Sequence, residues 1–183
     1  MHDNFKIKSE RQERAVRFDI TINELEIDGK DMEYSYINIP AGVCVMPIYK
    51  GRIVCIRQYR FPIRSWEYEF PGGFIDEGEE PCAAAARELA EETGLAAREI
   101  IELGYMYPSF GSTNERIYLF AAVCEEKGET QRELGELIDM HELEESEFNE
   151  LVKQGKFSHG AGLAAWARYK SGAAQSIKNT NNE

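Results

Sequence analysis

Apolar and polar residues change their period several times along this chain, and each change marks an element. Val16-Arg-Phe18-Asp-Ile20-Thr-Ile22-Asn-Glu-Leu25 alternates with a period of two, the mark of a half-buried strand. Asp28-Gly29 supplies a turn, and 32–39 reads as the returning strand. A hairpin alone is marginal in water, so this one must lean on the following domain or on a second copy of the chain. Residues 1–15 are polar and mixed in charge and read as a loose arm or a short helical start.

From Gly42 the apolar character rises. Val43-Cys-Val-Met-Pro-Ile48 and Ile53-Val-Cys-Ile56 are continuous apolar runs joined by a turn at Lys50-Gly51, the pattern of central strands covered on both faces. The stretches 99–105, 115–123 and 137–140 read as further strands. Pro81 suits a first helical position and Gly94 the residue just past a helix end, so a helix of about three turns runs between them. Helices are also predicted over 146–155 and over the Ala-rich 161–169, which should dock on the sheet; His159 before it reads as a capping or packing residue. The stretch 107–115 is dense in turn formers and long enough to reach over a neighbouring site. Residues 125–136 suit a mobile charged loop, and 171–183 a disordered polar tail.

Chemistry enters with the first helix. Glu88, Glu91 and Glu92 stand at i, i+3 and i+4, so three carboxylates share one face, where like charges repel. A solvated acidic face would explain them; so would a divalent cation, and oxygen-only donors favour Mg²⁺ or Mn²⁺ over zinc or copper. The net charge of −12 excludes general binding to nucleic acid or anionic membrane, so a phosphorylated small molecule would need metal ions or a local basic patch. Arg57 and Arg60, at the end of the second apolar strand, offer guanidinium groups for phosphate oxygens. Cys44, Cys55, Cys82 and Cys124 sit in apolar stretches without ligand spacing and read as buried hydrophobes in a reducing compartment. No apolar run approaches the ~18 residues of a membrane span, and the first residues lack an apolar signal core, so a cytoplasmic protein is expected.

The spacing around the helix is more specific. From Gly73, five residues lead to Glu79, seven more to Arg87-Glu88, then Leu89, one residue, Glu91-Glu92, one residue, Gly94 and Leu95. This resembles the Nudix box at every specified position. The resemblance implies an α+β fold: an α/β/α sandwich with a mixed sheet over 41–170, an N-terminal β-hairpin or sheet extension over 1–40, and a disordered tail over 171–183. It implies that Glu88 and Glu92 ligate Mg²⁺ (or Mn²⁺) directly, with Glu91 as a further or water-mediated ligand and the Gly72 carbonyl as a backbone ligand. Arg87 then resembles the residue that orients the glutamates, with Glu79 its loop-side partner.

Gln58-Tyr59-Arg60, followed by Trp66-x-x-Glu69-Phe-Pro-Gly72-Gly73, resembles the ADP-ribose and nucleotide-sugar pyrophosphatase branch. That puts Arg60 and Glu69 on the substrate side; Trp66 either walls the pocket or is simply packed. The branch carries Ser-Pro-Gly and a metal-side glutamate in the loop matched here by Tyr107-Pro108-Ser109-Phe110-Gly111, which lacks the second proline but keeps Glu115-Arg116. A glutamate of the loop before the last strand, Glu133 or Glu136, resembles the water-activating base. The implied reaction is hydrolysis of a nucleoside diphosphate-linked small molecule, ADP-ribose giving AMP and ribose 5-phosphate, by a homodimer whose N-terminal sheet contributes to pairing and to the pocket. Another nucleotide sugar, carrying GDP or a hexose, and a non-catalytic nucleotide sensor are the alternatives.

Overall fold

At Asp28 and Gly29 the backbone takes φ of 51° and 74°, and this two-residue turn joins β2 (Asp19–Ile27) to β3 (Lys30–Asn38) in the twist a hairpin favours. The computed structural model describes residues 5–14, 16–131 and 137–172. It divides into two compact units: Met1–Pro40 with Tyr107–Arg116, and Ala41–Met106 with Ile117–Glu183.

In the first unit β1 (Phe5–Arg14) pairs antiparallel with β2, giving the order β1-β2-β3. The expectation of a loose arm or helical start fails here. Residues 6–14 are exposed, so no apolar face advertised the strand; ladder pairing makes it, helped by ion pairs of Lys8 with Glu26 and Asp31 and of Arg11 with Glu33. The 107–116 loop is knitted to β3. The Ile37 N–H donates to the Ser112 carbonyl at 2.9 Å, the Tyr34 hydroxyl to the Gly111 carbonyl at 2.8 Å, and the Ile39 N–H to Asn114 Oδ1 at 3.0 Å. Glu115 therefore belongs to this unit, where burial raises its carboxyl above the ordinary value.

The second unit is built on β4 (Gly42–Tyr49), β5 (Arg52–Arg60), β6 (Ser65–Glu69), β7 (Leu95–Met106), β8 (Ile117–Lys127) and β9 (Ile138–Leu143). They form one mixed sheet in the order β6-β5-β4-β8-β7, with β9 on β5; β4 and β8 are parallel. Alternation along β4 divides the core. Val43 and Val45 face α1 (Pro81–Thr93) with its Ala84, Ala85 and Leu89, whereas Cys44 and Met46 face the side of α2 (Glu145–Lys153) and α3 (Gly160–Lys170), with Phe148, Phe157 and Ala161. The result is the helix–sheet–helix layering read from the sequence. Cys44, Cys55 and Cys124 are buried as expected, and burial pushes the Cys124 thiol up to about 11; Cys82, expected to be buried, is exposed early in α1.

One irregularity positions the site. β4 and β5 pair only beside their turn, at Ile48↔Ile53 and Tyr49↔Arg52, and then splay apart. The gap is filled by the chain between β6 and α1: β6 lies on β5, while Val45 N–H donates to the Pro71 carbonyl, Val43 N–H to the Gly73 carbonyl and Ile75 N–H to the Ala41 carbonyl, each at 2.9 Å. A Cβ on Gly72 would stand 2.1 Å from the Val43 carbonyl oxygen, so only glycine lets this wedge close. Among the described residues no helix is long and apolar enough to cross a membrane.

Candidate active site

α1 starts at Pro81, which needs no N–H partner, and stops at Gly94, whose φ of 72° and N–H bond to the Ala90 carbonyl at 2.8 Å make a left-handed cap. Between these ends, Ala84, Ala85 and Leu89 dock on the sheet and turn Glu88 and Glu92 toward the Pro71–Ile75 wedge. Both carboxylates are buried, at 9% and 2% exposure, a costly position for an acid without a compensating partner. The Gly72 N–H donates to Glu92 Oε2 at 2.9 Å, and Glu88 lies against Gly73.

Arg87 organises the acidic face. Its Nε and Nη2 clamp Glu79 at 3.0 and 2.9 Å, Nη2 also donates to the Phe74 carbonyl at 2.9 Å, and Nη1 bridges Glu88 Oε1 at 2.8 Å and Glu91 Oε2 at 3.1 Å. All of the guanidinium's N–H groups are thus engaged. Hydrogen bonding to Glu79, before any other cause, holds the Arg87 charge in place by raising its pKa, and the same bond lowers that of Glu79. The Phe74 acceptor was not legible beforehand, since a backbone carbonyl leaves no mark in sequence.

Among the described residues no three His, Cys, Asp or Glu side chains converge into a ready-made metal cage. A Mg²⁺-type site rarely is one: it takes one or two carboxylates and completes its shell with water and substrate phosphate. Buried Glu88 and Glu92 beside the Gly72–Gly73 backbone, with half-buried Glu91 tethered alongside, supply hard oxygen donors of that kind. The residues present fit a divalent cation.

Arg60 and Glu69, anticipated on the substrate side, grip each other: Nε donates to Oε1 at 2.7 Å and Nη2 to Oε2 at 2.5 Å, fixing the guanidinium plane. Arg57 and Trp66 are not brought to that pair. Both lie on the α2/α3 face of the sheet, Arg57 in register with Tyr68 and sharing its face with Cys55. His159, at the α3 N-cap position, makes no capping bond; its Nδ1 accepts the Phe70 N–H at 3.3 Å, tying the end of β6 to α3. Sequence gave no signal for a contact between such distant residues. Glu133 and Glu136 lie outside the described residues. Gln131, the last described residue before them, donates its N–H to the Glu91 carbonyl at 2.9 Å, and the Gly128 N–H reaches the Gly94 carbonyl at 2.7 Å.

Comparison with known proteins decides the family. The model of the NUDIX domain matches residues 39–164. This chain belongs to the Nudix family. Nudix hydrolases generally need a divalent metal, which agrees with the donor set on α1. Among similar relatives, the ADP-ribose pyrophosphatase of Bacillus subtilis (strain 168) is 31% identical over 137 residues, which are 74% of this chain and 69% of that one. The ADP compounds hydrolase NudE of Escherichia coli (strain K12) is 32% identical over 120 residues, 60% of this chain and 63% of that one. A solved structure titled "Crystal structure of ADP compounds hydrolase" superposes with a TM-score of 0.85, covering 93% of this chain and 95% of that one, at 21% identity; that likeness speaks for the Nudix fold.

Proposed function

We propose that this Nudix hydrolase cleaves the pyrophosphate bond of a nucleoside diphosphate sugar with Mg²⁺ or Mn²⁺, ADP-ribose giving AMP and ribose 5-phosphate. The observation that carries the reading is the pair of buried carboxylates, Glu88 and Glu92, set against the Gly72–Gly73 backbone and aligned by Arg87. The relatives named as acting on ADP-ribose and on ADP compounds support the substrate class.

Glu88, Glu92 and the Gly72 carbonyl would hold the cation, with Glu91 reaching it directly or through water. Bound there, a divalent ion supplies charge neutralisation at the attacked phosphorus and a water of lowered pKa. Arg87 keeps the carboxylates from drifting apart under their mutual repulsion. Arg60, its plane set by Glu69, offers its guanidinium to a phosphate oxygen. Glu133 or Glu136 would take the proton of the attacking water, and Glu115 would assist on the substrate side. Water adds across the P–O–P bridge, so each product leaves with one phosphate. The N-terminal sheet is assigned to dimerisation and the pocket, and the enzyme to the cytoplasm.

A second reading widens the substrate to other ADP compounds. Tyr107-Pro-Ser-Phe-Gly111 departs from the Ser-Pro-Gly of the ADP-ribose branch, and a relative carries the broader name. The test is product release from ADP-ribose, other nucleotide sugars, diadenosine polyphosphates and nucleoside triphosphates, with Mg²⁺ and with chelator. AMP and ribose 5-phosphate appearing only with metal are expected, and wild-type turnover in a Glu92→Gln variant would overturn the ligand assignment.

A further inference from the structure

Arg57 stands apart from the chemistry at α1. It shares its side of β5 with Ile53 and Cys55, whereas Arg60, three residues on, falls on the opposite side. In a chain of net charge −12, Arg11, Arg52, Arg60, Arg87 and Arg98 each hold a carboxylate. Among the described residues Arg57 has no such partner, and its Nε is buried without an acceptor. The guanidinium lies instead over two rings, 5.8 Å from the Trp66 centroid and 5.7 Å from that of Tyr68. His141 meets Tyr68 edge-on at 5.2 Å and brings a second buried nitrogen, Nε2, that lacks a partner. Beside them Trp66 is 38% exposed and packs on Tyr59, which also carries Phe61, 71% exposed.

We propose that Arg57, His141, Trp66 and Tyr68 form a second binding site, for a nucleoside monophosphate, on the sheet face away from α1. The phosphate is taken by the Nη edge of Arg57, Nε and His141 Nε2 being buried behind it without partners, and a guanidinium lying over two rings is set for bidentate contact. The base stacks on the exposed part of Trp66 and against Phe61, as bases do on aromatic ledges. Asp139 faces Arg57 across the β5–β9 ladder without pairing to it, so it opposes an incoming anion. The site does not depend on the reading of α1; that AMP here would report product level does rest on it.

The experiment is calorimetry and tryptophan fluorescence with AMP in chelator, which silences any metal site. Saturable binding with quenching is expected, weakened about tenfold or more by Arg57→Gln, unchanged by Arg98→Gln, whose arginine only pairs with Glu125 on the surface, and tightened by Asp139→Asn because the repelling charge is gone. Adenosine and inorganic phosphate, each with half of the chemistry, should bind far more weakly than AMP. Loss in Arg60→Gln with retention in Arg57→Gln would place the ligand at the other site and overturn the proposal. So would weaker binding in Asp139→Asn, no binding at all, or a Phe61→Ser variant that light scattering shows falling from dimer to monomer, which would make this face an interface between copies.

Discussion

The Glu88 carboxylate packs so closely on Gly73 that a methyl group at that residue would stand 2.3 Å from its Oε1. Gly73→Ala must therefore push a flexible side-chain end out of place and leave the main chain alone. Gly72→Ala meets the Val43 carbonyl, which cannot yield. The first variant should lose about 10–100-fold in Mn²⁺ affinity with little change in melting temperature. The second should lose about 1–3 kcal/mol of stability. Metal titration and thermal unfolding of both variants check the contrast, and equal destabilisation would refute it.

Arg87 joins the loop glutamate Glu79 to the helix glutamates Glu88 and Glu91 through a single planar group. Arg87→Gln should cut turnover about 10–100-fold while the protein stays folded by circular dichroism. Arg87→Lys should rescue little, because a point charge cannot span both sides of the fork. Steady-state kinetics of the two variants give the answer.

His159 predicts an acid weakness. Burial, before any other cause, lowers its pKa from the ordinary 6.5, with Glu69 acting against the shift and Arg60 with it. The folded state therefore refuses a proton that the unfolded state accepts. Stability from this residue is complete above pH 6.5 and falls as pH drops from there toward the folded value. His159→Asn, whose Oδ1 can still accept the Phe70 N–H, should flatten that part of the stability curve. Urea melts between neutral and mildly acid pH would show it; an unaltered slope would count against the assignment.

At the bulge in β7, Gly104 takes φ of 88°, and Arg168 from α3 reaches across it, donating to the Leu103 carbonyl at 2.7 Å and the Tyr105 carbonyl at 2.9 Å. Arg168→Ala should cost about 1–3 kcal/mol by leaving two carbonyls short of a donor. Gly104→Ala should be comparably harmful, since its Cβ would lie 2.3 Å from Arg168 Nη1 on a backbone that disfavours side chains. Denaturant unfolding at neutral pH measures both.

Elements with a strong local mark were readable in the sequence. Pro81 and Gly94 bounded α1 to within a residue, and Asp28-Gly29 announced the hairpin. β1 was not readable, because its partners lie along β2 and the side chains of residues 6–14 are exposed. The resemblance implied that Arg87 orients the glutamates with Glu79 as its partner, and hydrogen bonds do join Arg87 to Glu79, Glu88 and Glu91; helical spacing alone placed only the three glutamates on one face. The division of Arg57 from Arg60 followed from strand alternation, but only once β5 had been aligned with the core on each side. The pairing of His159 with Phe70 had no local cause and could not be foreseen.

β4 runs parallel to β8, Gly42 lying beside Ile117, with the acid-bearing helix enclosed in the intervening chain. Such a strand finds its mate only after the later one has left the ribosome, and distant pairings of this kind form slowly. A nascent or truncated chain ending at Met106 would carry every residue of the helix motif and yet lack the strand that completes its floor. Dividing this gene between two fragments should therefore yield two inert halves, with catalysis returning only where both are made together and can anneal.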